Sequence, residues 1–400
     1  MTDAAEYVVF GRPLIEDAEV EEVTKSMRAA WLGTGPKVAE FQRRVAAYKG
    51  VSHAIAVSSC TAGLHLACIA IGLKPGDEVI VPAMTFCATV NAVIHAGATP
   101  VLADVDRETC LLDPADVIRR ITPRTKAIIV VHFAGRACDM DTLTTIARDH
   151  DVRIIEDCAH AIETEHEGRK AGVFGECGVL SFYATKNIVT GEGGMVLTND
   201  EQLAGRIKRL ALHGLSEDAW KRFSDDGYKH YDVVEIGYKY NMTDLQAAIG
   251  MHQIERVDRY WARRQRVWQQ YDEAFGDLPV TLPVQPSRGS RHALHLYTLL
   301  IEPPRAPVTR DQFIGALHRR GVGTGVHYRA IPEYSAYQKK FGWVASDYPN
   351  AQAIGHSTVS IPLSASLRDS DVQKVIEAVR DVLSDRKPAA LVAHARPAQR

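Results

Sequence analysis

The feature that most constrains the fold is an alternation of short β-rich runs with longer helical patterns between residues 50 and 158. The later runs, at 127–131 and 153–156, are apolar throughout and do not alternate with polar residues. Parallel strands that are buried on both faces have this composition. The pattern predicts an α/β protein with a mostly parallel sheet.

The second half of the chain has a different rhythm. Two close β-like runs at 178–182 and 194–198 flank a loop rich in glycine, and a helical stretch covers about 243–275. Signals beyond Pro279 are sparser: a strand near 296–301 and helices at 311–320 and 369–383. We predict a large domain over 1–255 and a smaller α+β domain over 256–384. Residues 385–400 lack periodicity and predict a mobile tail.

Composition excludes several classes of protein. The 400 residues carry a formal net charge of -2, so there is no general attraction to nucleic acid or to an anionic membrane. Seven scattered cysteines without a Cys-x-x-Cys pair argue against a disulfide framework and against a zinc site, and for a reducing cytoplasm. The polar N-terminus is not typical of a signal peptide, and no apolar run is long enough to span a bilayer.

The segment 58–63, Ser-Ser-Cys-Thr-Ala-Gly, lies between a predicted strand and a predicted helix. Backbone N–H groups and the positive end of a helix can hold a phosphate at such a turn. Serine and threonine are also favoured N-caps of any helix. Taken alone, the segment favours the ordinary cap.

An acidic residue, Asp157, ends an almost fully apolar run. The carboxyl edge of a parallel sheet is where α/β proteins bind ligands. A carboxylate in an apolar interior is costly unless a cation meets it, and a protonated pyridine nitrogen is one such cation. Asp157 could equally cap the next segment or pair with an arginine.

Lys186 follows a predicted buried strand and is surrounded by small residues, with Gly191, Gly193 and Gly194 close behind it. Desolvation would lower the pKa of this lysine, which a Schiff-base nucleophile requires. The glycines would let the backbone pass close to a flat ligand. A solvated loop lysine is the alternative.

Together the three segments match the needs of pyridoxal phosphate (PLP). One group anchors the phosphate, a strand-end Asp157 keeps the ring nitrogen protonated, and Lys186 binds the cofactor covalently. The combination favours PLP over the separate alternatives.

The chain also resembles the DegT/DnrJ/EryC1/StrS sugar aminotransferases, a branch of the fold-type I PLP enzymes. The resemblance runs from about residue 12 to 383 and rests on several motifs in order, at 31–36, 61–63, 132–135, 156–160, 181–194, 237–248 and 323–328. It implies a seven-stranded, mostly parallel sheet between helices in the large domain.

The resemblance assigns roles around the cofactor ring. Lys186 would bind the cofactor and shuttle the proton, and Asp157 would pair with the pyridine nitrogen. Phe86 would stack on the ring, and His160 would lie beside it, near the phenolic oxygen. Without the family pattern, Phe86 is better interpreted as a core aromatic.

Further carried-over roles concern the phosphate and the substrate. The phosphate would be held by Thr61, Ala62 and Ser181. Asn241 would reach the phosphate of the other subunit's cofactor, which implies an obligate homodimer with shared sites. Asn241 could instead cap the following helix, although Thr243 suits that task equally. His327 and Tyr328 would contact the substrate, or His327 is a structural histidine.

The resemblance implies transfer of an amino group from glutamate to a nucleotide-linked keto sugar, most often at C4. Residues 237–241 and 323–325 are similar to the branch that acts on UDP-linked 4-keto sugars of surface polysaccharides. Thymidine-linked sugars aminated at C3 and cyclitol ketones stay open, and the polar segment 215–231 is expected to build part of the acceptor pocket. A sugar 3-dehydratase, which has histidine at the lysine position, and a non-catalytic sugar-nucleotide sensor are less favoured.

Overall fold

The computed structural model of the protein describes residues 7–216, 231–286 and 289–384. The predicted tail at 385–400 and most of the segment 215–231 lie outside these residues.

A seven-stranded sheet forms the centre of the fold, with the strand order β1-β9-β8-β5-β4-β2-β3. Six strands are parallel and β9 alone runs against them. The prediction of a mostly parallel seven-stranded sheet is confirmed. The strands of this sheet are β1 (His53–Val57), β2 (Glu78–Pro82), β3 (Thr99–Ala103), β4 (Thr125–Val131), β5 (Arg153–Cys158), β8 (Cys177–Ser181) and β9 (Gly194–Thr198).

Two small sheets accompany the central one. They pair β6 (Glu165–His166) with β7 (Arg169–Lys170), and β10 (Tyr297–Leu300) with β11 (Thr358–Ile361), both antiparallel.

Helices flank the sheets along the described chain. Their bounds are α1 (Asp17–Arg28), α2 (Pro36–Lys49), α3 (Cys60–Ala70), α4 (Cys87–His95), α5 (Pro114–Arg120), α6 (Met140–Asp149), α7 (Glu201–Ala211), α8 (Asp244–Glu255), α9 (Val257–Phe275), α10 (Arg310–Arg319), α11 (Ser335–Phe341), α12 (Pro349–Ser357) and α13 (Asp369–Leu383). None of the described helices combines the length and the apolarity needed to cross a bilayer.

The predicted helix over 243–275 is two helices, so this prediction was wrong in its continuity. Arg256 leaves the helical conformation, with φ -104° and ψ 3°, between α8 and α9. Its guanidinium bonds to Glu19 of α1, which holds the break in place. The helical pattern of the sequence is therefore continuous, whereas a tertiary contact interrupts the helix itself.

The central sheet is buried because its strands are apolar on both faces. Val79, Ile80 and Val81 of β2 have no exposed surface. Each such side chain contributes about 1.5–3 kcal/mol by leaving water. The parallel strands end at one edge, and β9 begins there, because Gly194 pairs with both Val57 and Ser181. The three segments with candidate chemistry therefore converge on that edge.

A second hydrophobic core forms between α9, α10, α13, β10 and β11, and includes Val8 from the N-terminal segment. The later helices α11 and α12 pack instead on the first core, through Tyr337, Ala351 and Ile354. The division of the chain at residue 255 into two domains stays a prediction.

Candidate active site

A cavity of about 500 Å³ lies at the carboxyl edge of the sheet. It is lined by eight of the ten predicted site residues: Thr61, Phe86, Asp157, His160, Ser181, Lys186, His327 and Tyr328. Ala62 and Asn241 lie outside its lining. Other lining residues are Cys60, Thr85, Tyr183, Thr185, Glu192 and Gly193.

Lys186 lies in the turn that follows β8, where its backbone N–H donates to the carbonyl of Tyr183 at 2.9 Å. Burial is the main cause that lowers the pKa of Lys186 to about 8, and the charges on Cys60 and Asp157 oppose it only in part. Within the described chain, the ammonium makes no hydrogen bond or ion pair. The predicted pKa depression is confirmed, and the solvated-lysine alternative does not hold.

Asp157 lies near the end of β5, with its carboxylate buried. One oxygen, Oδ2, accepts a hydrogen bond from Thr89 Oγ1 at 2.9 Å, and Oδ1 accepts one from the Ala159 N–H at 3.1 Å. Burial raises the pKa of Asp157, and these hydrogen bonds and Lys186 reduce the increase. The bond to Ala159 is the local cap considered above, whereas no described arginine pairs with Asp157.

The turn after β1 contains an ordinary helix N-cap and also leaves N–H groups that could hold a phosphate. Ser59 is the N-cap of α3, because its Oγ accepts from the Ala62 N–H at 3.1 Å. The first N–H groups of a helix have no intrahelical partners, and Ser59 satisfies only that of Ala62. Thr61 and the remaining positive end of α3 face the cavity. The roles of Thr61 and Ala62 as phosphate ligands stay predictions.

The glycines behind Lys186 make room for the protein's own chain. A Cβ on Gly194 would lie 2.6 Å from the backbone carbon of Ser59, and one on Gly193 would lie 2.3 Å from Thr190 Oγ1. Gly194 thus lets β9 approach the start of α3. Gly193 also lines the cavity, and the expectation that the glycines let the backbone pass close to a flat ligand stays a prediction.

Phe86 is not a core residue. Its side chain is 55% exposed and forms part of the cavity wall, 5.8 Å from the ring of Tyr328 between centroids. A large apolar side chain left uncovered at a cavity wall indicates a surface that a bound molecule covers. The core interpretation of Phe86 is therefore wrong.

His160 and Tyr328 form a directed pair. The Ala134 N–H donates to His160 Nδ1 at 3.2 Å, so this nitrogen carries no proton. Burial and the charge on Lys186 lower the pKa of His160 well below its usual value, so the ring is neutral. Its proton is on Nε2, which donates to the Tyr328 hydroxyl at 3.1 Å. Tyr328 therefore keeps its own proton to donate to a ligand.

His327 has features both of a structural histidine and of a residue that could contact the substrate. Its Nδ1 lies 2.9 Å from Ser360 Oγ, which anchors the ring, and the side chain also lines the cavity. Burial, with the charge on Lys186 acting in the same direction, lowers the pKa of His327 to about 4. His327 is neutral near pH 7.

Asn241 does not cap α8. Thr243 is the N-cap, in a capping box with Gln246. The Asn241 amide donates instead to Thr34 Oγ1 at 2.7 Å, and Asn241 lines a separate cavity of about 410 Å³ beside the exposed Trp31.

Sequence reasoning missed Thr89, which binds Asp157, and Asn187, which binds Glu163 and His295. The available signal for Thr89 was its place three residues after Phe86, in the first turn of α4. No local pattern marked Glu163 or His295, since Glu163 meets Arg264 and His295 meets Asn187 across more than 100 residues.

Three buried side chains, His132, Glu156 and Cys158, lie close enough together to suggest a metal site. Both ring nitrogens of His132 are already used, by the Cys138 N–H and by Glu156. Glu156 also accepts three backbone N–H groups, from Gly172, Phe174 and Gly175. The group stabilises the fold next to Asp157.

Comparison with known proteins decides the family. The family model described as the DegT/DnrJ/EryC1/StrS aminotransferase family matches residues 13–380. The chain belongs to this family. It is 46% identical over 378 residues to the spore coat polysaccharide biosynthesis protein SpsC of Bacillus subtilis, covering 94% of this chain and 97% of that protein.

Solved structures agree with this assignment. The PLP form of Spr1654 from Streptococcus pneumoniae has a TM-score of 0.87 and 31% identity, covering 94% of this chain and 98% of that one. PseC of Helicobacter pylori, an aminotransferase of pseudoaminic acid biosynthesis, has a TM-score of 0.87 and 26% identity over 94% and 99%. The chain is a PLP-dependent sugar aminotransferase of fold type I.

The residues present fit PLP. No described Lys, Arg or His side chain forms an ion pair with the buried carboxylate of Asp157, and a pyridinium would supply that partner. Lys186 has a free amine, Phe86 offers an uncovered ring, and the start of α3 offers N–H groups for a phosphate. The cavity volume of about 500 Å³ is in the range of cofactor sites.

Proposed function

We propose that the protein transfers the amino group of glutamate to C4 of a nucleotide-linked keto sugar. The observation that carries the proposal is that Lys186, whose ammonium has no hydrogen-bond or ion-pair partner among the described residues, and the buried Asp157 line one cavity. The glutamate donor and the nucleotide are what the family resemblance implies, and the polysaccharide context is supported by the likeness to SpsC.

Each residue has a defined task in this reaction. Bound PLP supplies an electron sink for the carbanionic centre of the donor or of the sugar. With a pKa of about 8, Lys186 has a much larger neutral fraction at pH 7–8 than an ordinary lysine. Its amine takes the proton from the α-carbon of glutamate and returns a proton to the sugar carbon in the second half-reaction. Asp157 would hold the ring nitrogen protonated.

Substrate contacts are proposed for Tyr328 and His327. The Tyr328 hydroxyl has a proton to donate, since His160 supplies the hydrogen bond that it accepts. A sugar hydroxyl or carbonyl oxygen is a suitable acceptor. His327 is neutral and held by Ser360, which suits a hydrogen bond to an uncharged sugar better than binding of a phosphate.

We also propose a homodimer in which Asn241 serves the partner's site. Asn241 forms an isolated antiparallel β-bridge with Val57 at the end of β1. Its side chain does not line the cavity of its own chain. Large apolar side chains, including Trp31 and Phe86, are exposed near these two cavities. A second copy that covers them would remove this surface from water.

Complementation tests the shared site. Mixing a Lys186→Ala chain with an Asn241→Ala chain gives mixed dimers that hold one intact site if Asn241 acts across the interface. We expect activity to return on mixing after each single variant has lost it. Two inactive variants that stay inactive as verified mixed dimers would contradict the arrangement.

The seven free cysteines, five of them buried, support a reducing cytoplasm as the location that we propose.

The acceptor is tested with a panel of keto compounds and PLP-loaded protein, with glutamate as donor. The panel holds UDP- and dTDP-linked 4-keto sugars, a dTDP-linked 3-keto sugar and a cyclitol ketone, and Lys186→Ala is the control. We expect the highest kcat/KM for a UDP-linked 4-keto sugar. Preference for the 3-keto sugar or the cyclitol would overturn the proposed acceptor. Sugar dehydration, or binding without turnover, would overturn transamination.

A further inference from the structure

A chain of buried hydrogen bonds starts in the second core and ends next to Lys186. Arg264 pairs with Glu163, and both side chains are almost fully buried. The other oxygen of Glu163 accepts from Asn187 Nδ2 at 2.8 Å, and the same amide nitrogen donates to the Ala293 carbonyl at 2.9 Å. Asn187 Oδ1 lies 2.9 Å from His295 Nδ1.

These contacts fix the direction of every bond. Glu163 and the Ala293 carbonyl are both acceptors, so the amide nitrogen of Asn187 must face them. Asn187 Oδ1 then faces His295 and can only accept, which places the proton of His295 on Nδ1. Burial and the charge on Lys186 lower the pKa of His295 well below its usual value, so its Nε2 keeps a lone pair.

The chain of contacts continues into the cavity. The ring of His295 lies 4.4 Å from that of His160 between centroids, and His160 donates to Tyr328. The two histidines hold opposite tautomers, Nδ1–H in His295 and Nε2–H in His160. Asn187 is the residue after Lys186 in the chain, so whatever holds Asn187 also holds the turn that carries the lysine.

We propose that Asn187, held by the buried Glu163–Arg264 pair, is a positioning residue that sets the tautomer of His295 and fixes the turn that carries Lys186. A buried ion pair is weak evidence of stability by itself, because its desolvation offsets its attraction. Its use here is to orient one amide. Only the expected effect on turnover rests on the proposed function.

Five titratable side chains face Lys186 and can influence its pKa. They are Asp157 in β5, His160 just after β5, Cys60 at the start of α3, His295 just before β10, and His327 in the segment before α11. Asp157 and Cys60 are unchanged when Asn187 is replaced. Loss of the Asn187 contacts frees the turn, and we expect the pKa of Lys186 to rise toward its ordinary value.

The test uses the full chain without cofactor, labelled with ¹⁵N-histidine, with His295→Gln to assign the signals. We expect His295 to show protonated Nδ1 and bare Nε2, and Asn187→Leu to remove that preference. In the same variant, the pH dependence of acylation at Lys186, followed by mass spectrometry, shifts to higher pH. Asn199→Leu is the matched control, because Asn199 accepts from the Ser52 N–H at the opposite end of β1.

Three results would overturn the proposal: a protonated Nε2 at His295 in the wild-type chain, an unchanged tautomer in Asn187→Leu, or an unchanged Lys186 titration. Asn187→Ala replaces the leucine variant if that chain does not fold. In the PLP-loaded enzyme we expect turnover to fall about 10²-fold in Asn187→Leu. A wild-type enzyme that fails to transaminate would contradict the proposed function, whereas the tautomer and the titration would still decide this inference.

Discussion

Thr89 Oγ1 donates a hydrogen bond to Asp157 Oδ2 at 2.9 Å, from the helix after Phe86 to the end of β5. Thr85 Oγ1 lies 2.9 Å from Thr89 Oγ1 and can donate to it, because the Thr89 proton is directed at the carboxylate. Burial raises the pKa of Asp157, and the Thr89 bond opposes that increase. The two threonines therefore favour the charged form of the carboxylate that a pyridinium needs.

Thr89→Val removes this bond while keeping the volume of the side chain. Hydrogen bonds to charged groups are worth about 1.5–3 kcal/mol, so we expect the rate of proton transfer to fall about tenfold or more. Single-turnover conversion of the PLP-loaded enzyme by glutamate measures it. Thr89→Ser, which keeps the hydroxyl, should restore most of the rate. Equal rates in the valine and serine variants would contradict the role of the hydroxyl.

Asp157→Asn keeps the shape of the side chain and removes its charge. We expect proton transfer to slow by about 10²–10⁴-fold, while the affinity for PLP falls much less, because the phosphate and Lys186 contacts remain. Stopped-flow conversion with glutamate and a PLP titration separate the two effects. Loss of cofactor binding with an unchanged rate in the remaining loaded enzyme would show that Asp157 only anchors PLP.

Lys186→Met should stabilise the cofactor-free chain at pH 7. The folded-state pKa of about 8 lies below the ordinary 10.5, and a difference of about 2.5 pH units corresponds to about 3 kcal/mol. The unfolded chain binds more protons between these values, so wild-type stability rises with pH from 8 to 10.5. Urea unfolding at pH 7 and pH 10 measures the free energy of unfolding of the variant and of the wild type. The difference between the two chains should be smaller at the higher pH.

The exposed Lys126 supplies the control for that measurement, since Lys126→Met changes the same residue type outside the cavity. A Lys186→Met chain no more stable than the Lys126→Met chain at pH 7 would contradict the burial of the Lys186 ammonium.

Tyr328→Phe removes the proton that Tyr328 can offer to a ligand. We expect KM for the keto sugar to rise up to about tenfold, the effect of one hydrogen bond to an uncharged group, with a smaller change in the glutamate half-reaction. Tyr337→Phe is the control, because its hydroxyl bonds to Asn91 outside the cavity. An unchanged KM in Tyr328→Phe would remove Tyr328 from the acceptor site.

Local pattern was enough to predict the sheet and to mark Asp157 and Lys186 as candidates at its carboxyl edge, whereas the other site residues came from the family resemblance. Buried parallel strands are apolar throughout, so β4 and β5 are marked by composition alone, and the polar residues after them, such as Asp157, are conspicuous. Lys186 was identifiable for the same reason: it follows a buried strand among small residues. These signals lie within a few residues of the chemistry.

Contacts between distant segments could not be predicted from pattern. Glu163 meets Arg264 across 101 residues, and His295 meets Asn187 across 108. The break at Arg256 likewise depends on α1, more than 200 residues earlier. Phe86 is a further example. Its helical spacing suggests a buried core position, but in the folded chain its side chain is exposed at the cavity wall.

We propose that Lys186 is the lysine that binds PLP. The most direct measurement is borohydride reduction of the PLP-loaded protein, followed by proteolysis and mass spectrometry. We expect one phosphopyridoxyl modification, on the peptide that contains Lys186, and its loss in Lys186→Ala. A modification on another lysine, or none in protein shown to contain PLP, would contradict it.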